Sequence, residues 1–372
     1  MKSAALSFAG AILSLVTVAC GDVEPTSASG GGAGAGAGGM GGVDAGGMGG
    51  SDEGGGGGEG GAGGRREPPC TDTGPLGVDD APPNLLSETG LYDDIATQTL
   101  SPLVATYTPR FPLWSDGADK ERYVSLPPCP IDTSDMDRWR VPVGTRLWKA
   151  FVVNGQLVET RLIHRHGPGD DDFWYAAYQW NADHTEATRV PDGVVDANGT
   201  EHDIPSVDQC VACHGGAPER VLSLSALQLS HPGPGVTLAT LAADGMLSHP
   251  PTTTIDVPGD PTAQAALGYL HANCGNCHHP ALSPMTLFSL KLRVADLTVE
   301  DTDAFQDAVG VAALAPMGGA TLRIAPGDPS ASVVSYRMGQ RAPFVQMPSL
   351  ATDVVDAAGL GAVDAWISSL GP

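Results

Sequence analysis

Two pentapeptides constrain this chain more than any other feature: Cys210-Val-Ala-Cys213-His214 and Cys274-Gly-Asn-Cys277-His278. Together they use four of the 7 cysteines. Two thiols three positions apart, followed at once by an imidazole, are what covalent c-type haem attachment needs. The thiols add to the two porphyrin vinyl groups, and the adjacent His reaches the iron as proximal ligand. The reading is therefore two covalently attached haem c groups, held by Cys210, Cys213, Cys274 and Cys277, with His214 and His278 on the metals. Two other chemistries use such cysteines. Four thiolates can close a tetrahedral zinc site, but that leaves a His after each pair unexplained and puts 60 residues between the pairs. A redox Cys-x-x-Cys needs no following His.

The N-terminus predicts export. Residues 1–20 carry one charge, Lys2, then an apolar run from Ala4 to Val18 that is short for a membrane span and suits a secretory signal. The small residue Ala19 directly precedes Cys20. This arrangement resembles a bacterial lipoprotein cleavage site, which implies lipidation of Cys20; a plain signal peptide or a short anchor is the alternative. Residues 21–66 are Gly, Ala, Ser, Asp and Glu with scarcely a bulky side chain, and residues 30–64 alone hold 22 of the 50 glycines. Such a segment cannot bury enough apolar surface to offset its ordering entropy. It reads as a leash whose ends lie about 35–40 Å apart.

Residues 82–205 read as an antiparallel domain of six to nine strands. Aromatic and β-branched runs at Arg122–Leu126, Thr145–Asn154, Leu157–Arg165 and Phe173–Trp180 alternate with Gly, Pro, Asn and Asp clusters. Asn154-Gly155 between two such runs marks a hairpin. Cys70 and Cys129 remain as a candidate disulfide, which an oxidising compartment permits; two free thiols is the alternative. His164 and His166 share a strand face, as a metal-ligating pair would, but polar residues on a solvated face is the preferred reading. Asp170-Asp171-Asp172 reads as an acidic loop tip rather than a calcium site. Trp114, Trp139, Trp148, Trp174 and Trp180 are expected core aromatics.

The rear of the chain carries a fuller pattern. Asp260-Pro261 is a helix start, Asp at N-cap and Pro at N1, and Ala263 to Ala272 reads as a helix delivering Cys274. Gln346-Met347-Pro348 follows downstream, then a helical stretch Val354–Leu370 with Trp366 on its apolar side. Residues 259–372 thereby resemble a class I cytochrome c domain. That resemblance implies a C-terminal helix packed across the first, His278 as proximal and Met347 as distal ligand, with Met317 and Met338 as runners-up. In the segment 206–258, Ser223–Leu229 and Thr237–Met246 read as helices, and His231, Met246 and His249 are candidate distal ligands of the first haem. A side chain of the β-rich domain, or an open iron position, is the alternative.

The runs Phe111-Pro-Leu-Trp-Ser-Asp-Gly-Ala-Asp-Lys120, Glu159-Thr-Arg-Leu162 and Tyr175-Ala-Ala-Tyr-Gln-Trp-Asn181, with Asp203-Ile-Pro-Ser206, Ser225–Ser230 and Ala266–His278, are similar to an exported bacterial di-haem cytochrome family. The implied fold is multidomain α+β: an antiparallel β-rich domain followed by a mainly α-helical cytochrome c-like region with two haem-attachment motifs. The implied function is electron transfer by a periplasmic or cell-surface lipoprotein. A formal net charge of −24 excludes a nucleic-acid backbone as partner and suits redox proteins with basic docking surfaces. A peroxidase- or oxygenase-type haem enzyme, or a β-domain binding module wired to the haems, are the other classes.

Overall fold

The computed structural model describes residues 81–215, 220–279, 288–350 and 352–371. The signal 1–20 with Cys20, the linker 21–66 and Cys70 lie outside the described residues. Among those described, no helix is long and apolar enough to cross a membrane.

Alternating side chains build the sheet expected in the middle of the chain. Two short strands, β1 (Tyr92–Asp94) and β2 (Thr99–Leu100), pair with each other. They are followed by β3 (Ala105–Thr106), β4 (Asp119–Ser125), β5 (Arg146–Val153), β6 (Gln156–Arg165), β7 (Phe173–Trp180) and β8 (Ala187–Arg189). These six form one antiparallel sheet in sequence order. Asn154 and Gly155 both adopt positive φ, 53° and 79°, which closes the β5–β6 hairpin in the twist that antiparallel strands prefer.

The sheet has two unlike faces. On one, Tyr123, Trp148, Leu162, Tyr178 and Trp180 are buried under Leu86, Leu91 and Tyr92 of the preceding segment. The indoles remain satisfied there: Trp148 Nε1 donates to Thr89 Oγ1 at 3.1 Å and Trp180 Nε1 to Thr160 Oγ1 at 3.0 Å. On the other face Val124 and Leu147 join the main core with the helices, beside a cavity. His164 corrects the expectation of a solvated histidine face. It pairs in register with Trp174, is 0 % exposed, and meets that indole edge-on at 5.1 Å, while His166 stacks on it at 4.8 Å. Alternation puts His164 on the same face as buried Leu162. Trp139, Trp148, Trp174 and Trp180 are core residues as expected, whereas Trp114 is half-buried on the cavity wall.

The rear elements are α1 (Val207–His214), α2 (Ala226–Leu229), α3 (Leu238–Ala243), α4 (Pro261–Asn273), α5 (Asp303–Ala308), α6 (Val333–Met338) and α7 (Ala357–Ser369). A hairpin of β9 (Ala312–Met317) and β10 (Ala320–Leu322) lies among them, which the helical reading of this half omits. Helix starts follow local capping chemistry. Asp260 accepts from Ala263 N–H at 2.9 Å with Pro261 at the first position, and Asp356 accepts from Gly359 N–H at 2.8 Å. Val363, Trp366 and Ile367, spaced i, i+3, i+4, are buried on one side of α7. Helices α4 and α7 pack together, and Gly359 permits their approach: a Cβ there would lie 2.0 Å from Tyr269 Cε2.

The described residues belong to one compact unit. The expected divisions at 205/206 and 258/259 fall between elements that share an apolar core. Val124 and Leu147 of the sheet lie in the same cluster as Leu229, Leu267 and Trp366.

Candidate functional site

The first motif is a helix in its entirety. Ser206 caps α1, its hydroxyl accepting from Gln209 N–H at 3.4 Å while Gln209 Oε1 accepts from Ser206 N–H at 2.9 Å. Cys210 and Cys213, three apart, therefore stand on one helix side. His214 closes the helix, and its ring stacks on Tyr175 of β7 at 5.3 Å. Its Nδ1–H donates to the Arg220 carbonyl at 2.7 Å, which leaves Nε2 as the basic nitrogen. Burial pushes the His214 pKa down to about 4, so the ring is neutral at physiological pH.

The second motif follows α4 directly, with Cys274 as its C-cap. His278 N–H donates to the Cys274 carbonyl at 2.8 Å, so the chain turns sharply through the pentapeptide. The His278 ring lies tilted on Phe288 at 4.4 Å, and its buried Nδ1 has no hydrogen-bond partner among the described residues. Burial, reinforced by Arg337 and Arg323, pushes its pKa down to about 4.

Both motifs open onto one cavity of about 580 Å³, within the usual range for bound cofactors. Cys210, Cys213 and His214 line it from α1; Cys274, Cys277 and His278 line it from the end of α4. The thiols of Cys213 and Cys277 lie side by side, so the second cysteines of the two motifs meet. That contact pulls the Cys213 pKa down to about 7 and pushes Cys277 up. Burial pushes Cys274 up to about 12 and raises Cys210. All four cysteines are free thiols, and among the described residues no three His, Cys, Asp or Glu converge as a metal site.

Met347 and Met338 line the same cavity, and Met317 does not. The Met347 N–H donates to the Arg337 carbonyl at 3.0 Å, tying its loop to α6. The three candidates for the first distal ligand lie elsewhere. His231 uses Nε2 on the Thr108 carbonyl at 2.6 Å and Nδ1 on that of Pro232 at 3.0 Å. His249 is exposed beside Ser248, and Met246 packs against the main core. None of the three lines the cavity. Cys129 is buried and disulfide-bonded; Cys70 lies outside the described residues. Of the Asp170–Asp172 run, Asp170 pairs with Arg140 and Asp171 with Arg220, so two of its charges are neutralised by arginine.

Two groups of cavity residues escape a motif-based reading. The first is the segment containing Phe111, Leu113 and Trp114, which ties the sheet to the second motif. Trp114 N–H donates to Asn273 Oδ1 at 2.7 Å, its Nε1–H to the Val354 carbonyl at 3.0 Å, and Phe111 packs onto Gly268 of α4. The second is a row of cations on the sheet: Arg122, Lys149 and Arg161. The signal available for it was basic residues at alternate positions of amphipathic strands, in a chain with only 19 Lys and Arg against 43 Asp and Glu. Glu159, 0 % exposed, holds Arg161 through bonds of 2.6 and 2.9 Å and accepts from His202 Nε2 at 2.7 Å. Burial alone would push the Glu159 pKa up; the charge of Arg161 and the bonds from His202 and Arg161 outweigh it, leaving the carboxyl below its usual range.

The donor set fits c-type haem: paired thiols on one side of a helix or turn, an adjacent neutral imidazole, and a largely apolar cavity bordered by a thioether. Comparisons with protein families, with characterised proteins and with solved structures return no match.

Proposed function

We propose that this chain is a di-haem c-type cytochrome that transfers electrons, exported and tethered by lipid at Cys20. One observation carries the reading: two Cys-x-x-Cys-His motifs, delivered by separate helices, open onto a single cavity that Met347 also lines. The bound haems supply a one-electron Fe(III)/Fe(II) couple at each motif. The chain supplies attachment through Cys210, Cys213, Cys274 and Cys277, and proximal nitrogens from His214 and His278. The Arg220 carbonyl fixes the His214 tautomer. Tyr175 and Phe288 hold the two rings and shield them from water. Met347 would be the side chain that holds the second metal from across the cavity, where a thioether would favour the reduced state. The pairing of α4 with α7 supports a cytochrome c-like arrangement for residues 259–372. A body of net charge −24 on a long leash suits redox partners with basic docking surfaces.

A pyridine haemochrome assay on the purified protein, read with intact mass, tests this. Two haems per chain, each added covalently, are expected; a colourless protein of bare polypeptide mass from a host with functioning haem maturation refutes it. A second reading has one observation in its favour. The wall near His214 provides Tyr175, Lys149 and Arg161, while the two lining methionines, Met338 and Met347, come from α6 and the loop tied to it. A first iron with an open position would suit a peroxidase- or oxygenase-type enzyme. High-spin ferric signals in electron paramagnetic resonance, with peroxide turnover, would favour that reading; their absence removes it.

A further inference from the structure

Arg122 on β4, Lys149 on β5 and Arg161 on β6 occupy adjacent register positions, Arg122 opposite Lys149 and Lys149 opposite Arg161. Side chains in register on neighbouring strands share a face, so the three form a row, and all three line the cavity. Their neutralisation is incomplete. Arg122 is 6 % exposed, and neither it nor Lys149 has a carboxylate within ion-pair distance among the described residues. Lys149 Nζ lies 4.9 Å from the Phe151 ring centre, and the Arg161 guanidinium lies 4.2 Å from the same ring. Arg161 has Glu159, but that carboxylate is shared with His202. Lys120, two residues before Arg122, is held by the Leu113 carbonyl at 2.8 Å. A row of sequestered cations with one carboxylate among them is strongly unfavourable without an anion to complete it.

We propose that Arg122, Lys149 and Arg161 form a carboxylate-binding row that takes the two propionates of the haem attached at Cys210 and Cys213, raising that haem's reduction potential. The inference rests on the two-haem reading above. The vinyl and propionate edges of a porphyrin are opposite one another, so thiols and carboxylate-binding cations belong on different walls of one cavity; here they come from α1 and the sheet. The assignment to the first haem follows from proximity. Helix α1 packs on β7, whose Tyr175 stacks on His214 and whose Ala177 pairs in register with Arg161, whereas Arg323 lies over the Phe288 ring that packs on His278. Positive charge beside the ring disfavours the ferric state, which carries one more positive charge than the ferrous state.

The test uses the full-length holoprotein and the variants Arg122→Gln, Lys149→Gln, the double variant and Lys149→Arg. Haem content is established first by pyridine haemochrome, then both potentials are measured by spectroelectrochemistry across a pH series. In each Gln variant one potential should fall, the reduced-to-oxidised ratio at fixed applied potential dropping about tenfold, ~59 mV for a one-electron couple. The pH-dependent step of that haem should move to higher pH, because a propionate without its cation holds its proton more tightly. The other potential should stay, and Lys149→Arg should restore the first. Unchanged potentials and pH steps in variants that retain both haems overturn this inference alone. Saturable succinate binding to the wild-type holoprotein, lost in the Gln variants, also overturns it by giving the row to a free dicarboxylate. A protein carrying no haem overturns the two-haem reading and this inference together.

Discussion

Replacing Glu159 by Gln isolates the carboxylate that organises the sheet side of the cavity. Glu159 is fully buried and accepts three bonds of 2.6, 2.9 and 2.7 Å from Arg161 and His202. The amide keeps the shape and one acceptor oxygen but removes the charge, leaving Arg161 in a buried setting without a counter-ion. Breaking a buried pair from one side costs about 3–5 kcal/mol; because Gln still accepts one bond and Arg161 keeps the Phe151 ring, the lower end, about 3 kcal/mol, is expected. At an unfolding entropy of about 2.1 cal/mol/K per residue, that is a fall in Tm of roughly 5 °C for a folded body of this size. Thermal unfolding followed by far-ultraviolet circular dichroism at neutral pH measures it, and the pH profile supplies a second check. The Glu159 carboxyl titrates below its ordinary value of 4.5 in the folded state. Its stabilisation is therefore complete above that value and is lost as pH falls through the depressed folded value. Wild type should lose stability in that acid window, and Glu159→Gln should lose less of it. A loss under about 1 kcal/mol at neutral pH, or an unchanged acid limb, refutes the reasoning.

Three further outcomes follow from the geometry. Gly359→Ala places a methyl 2.0 Å from the Tyr269 ring and should destabilise by about 1–3 kcal/mol, whereas Gly361→Ala on the same helix meets no atom within 4 Å and should stabilise by up to ~1 kcal/mol; urea unfolding of the two variants compares them. Met347→Ala should retain both covalent haems yet lose the weak red-edge charge-transfer band of Met-ligated ferric haem, and an unchanged band would move the ligand elsewhere, Met338 first. In chain secreted without haem maturation, dissolved oxygen should join Cys213 and Cys277 as a disulfide, since their thiols are in contact and Cys213 titrates near 7. Peptide mapping without reduction detects the link, and Cys213→Ser should abolish it.

Much of the local structure was legible in the residues themselves. Alternation marked β4 to β7, Asn154-Gly155 marked their central hairpin, and Asp260-Pro261 marked the start of α4, because each depends on neighbours within one turn or one strand pair. The two pentapeptides likewise stood out through spacing alone. The candidate distal ligands of the first motif were less legible: His231 and His249 precede proline as a loop ligand would, but the fold holds them on backbone carbonyls and a serine away from the cavity. His164 carried a polar label and occupies a closed face.

The sequence by itself determined the order and spacing of the chemically distinctive atoms: four thiols in two pairs, each pair followed by an imidazole. The tertiary structure decided that both sets share one cavity, that Cys213 meets Cys277, and that Arg122, Lys149 and Arg161 stand in a row beside the first set. These depend on strand register and on contacts such as Trp114 with Asn273 and Val354, between segments more than a hundred residues apart. Periodicity reports which side of an element is buried; only packing between distant elements determines what lies against that side.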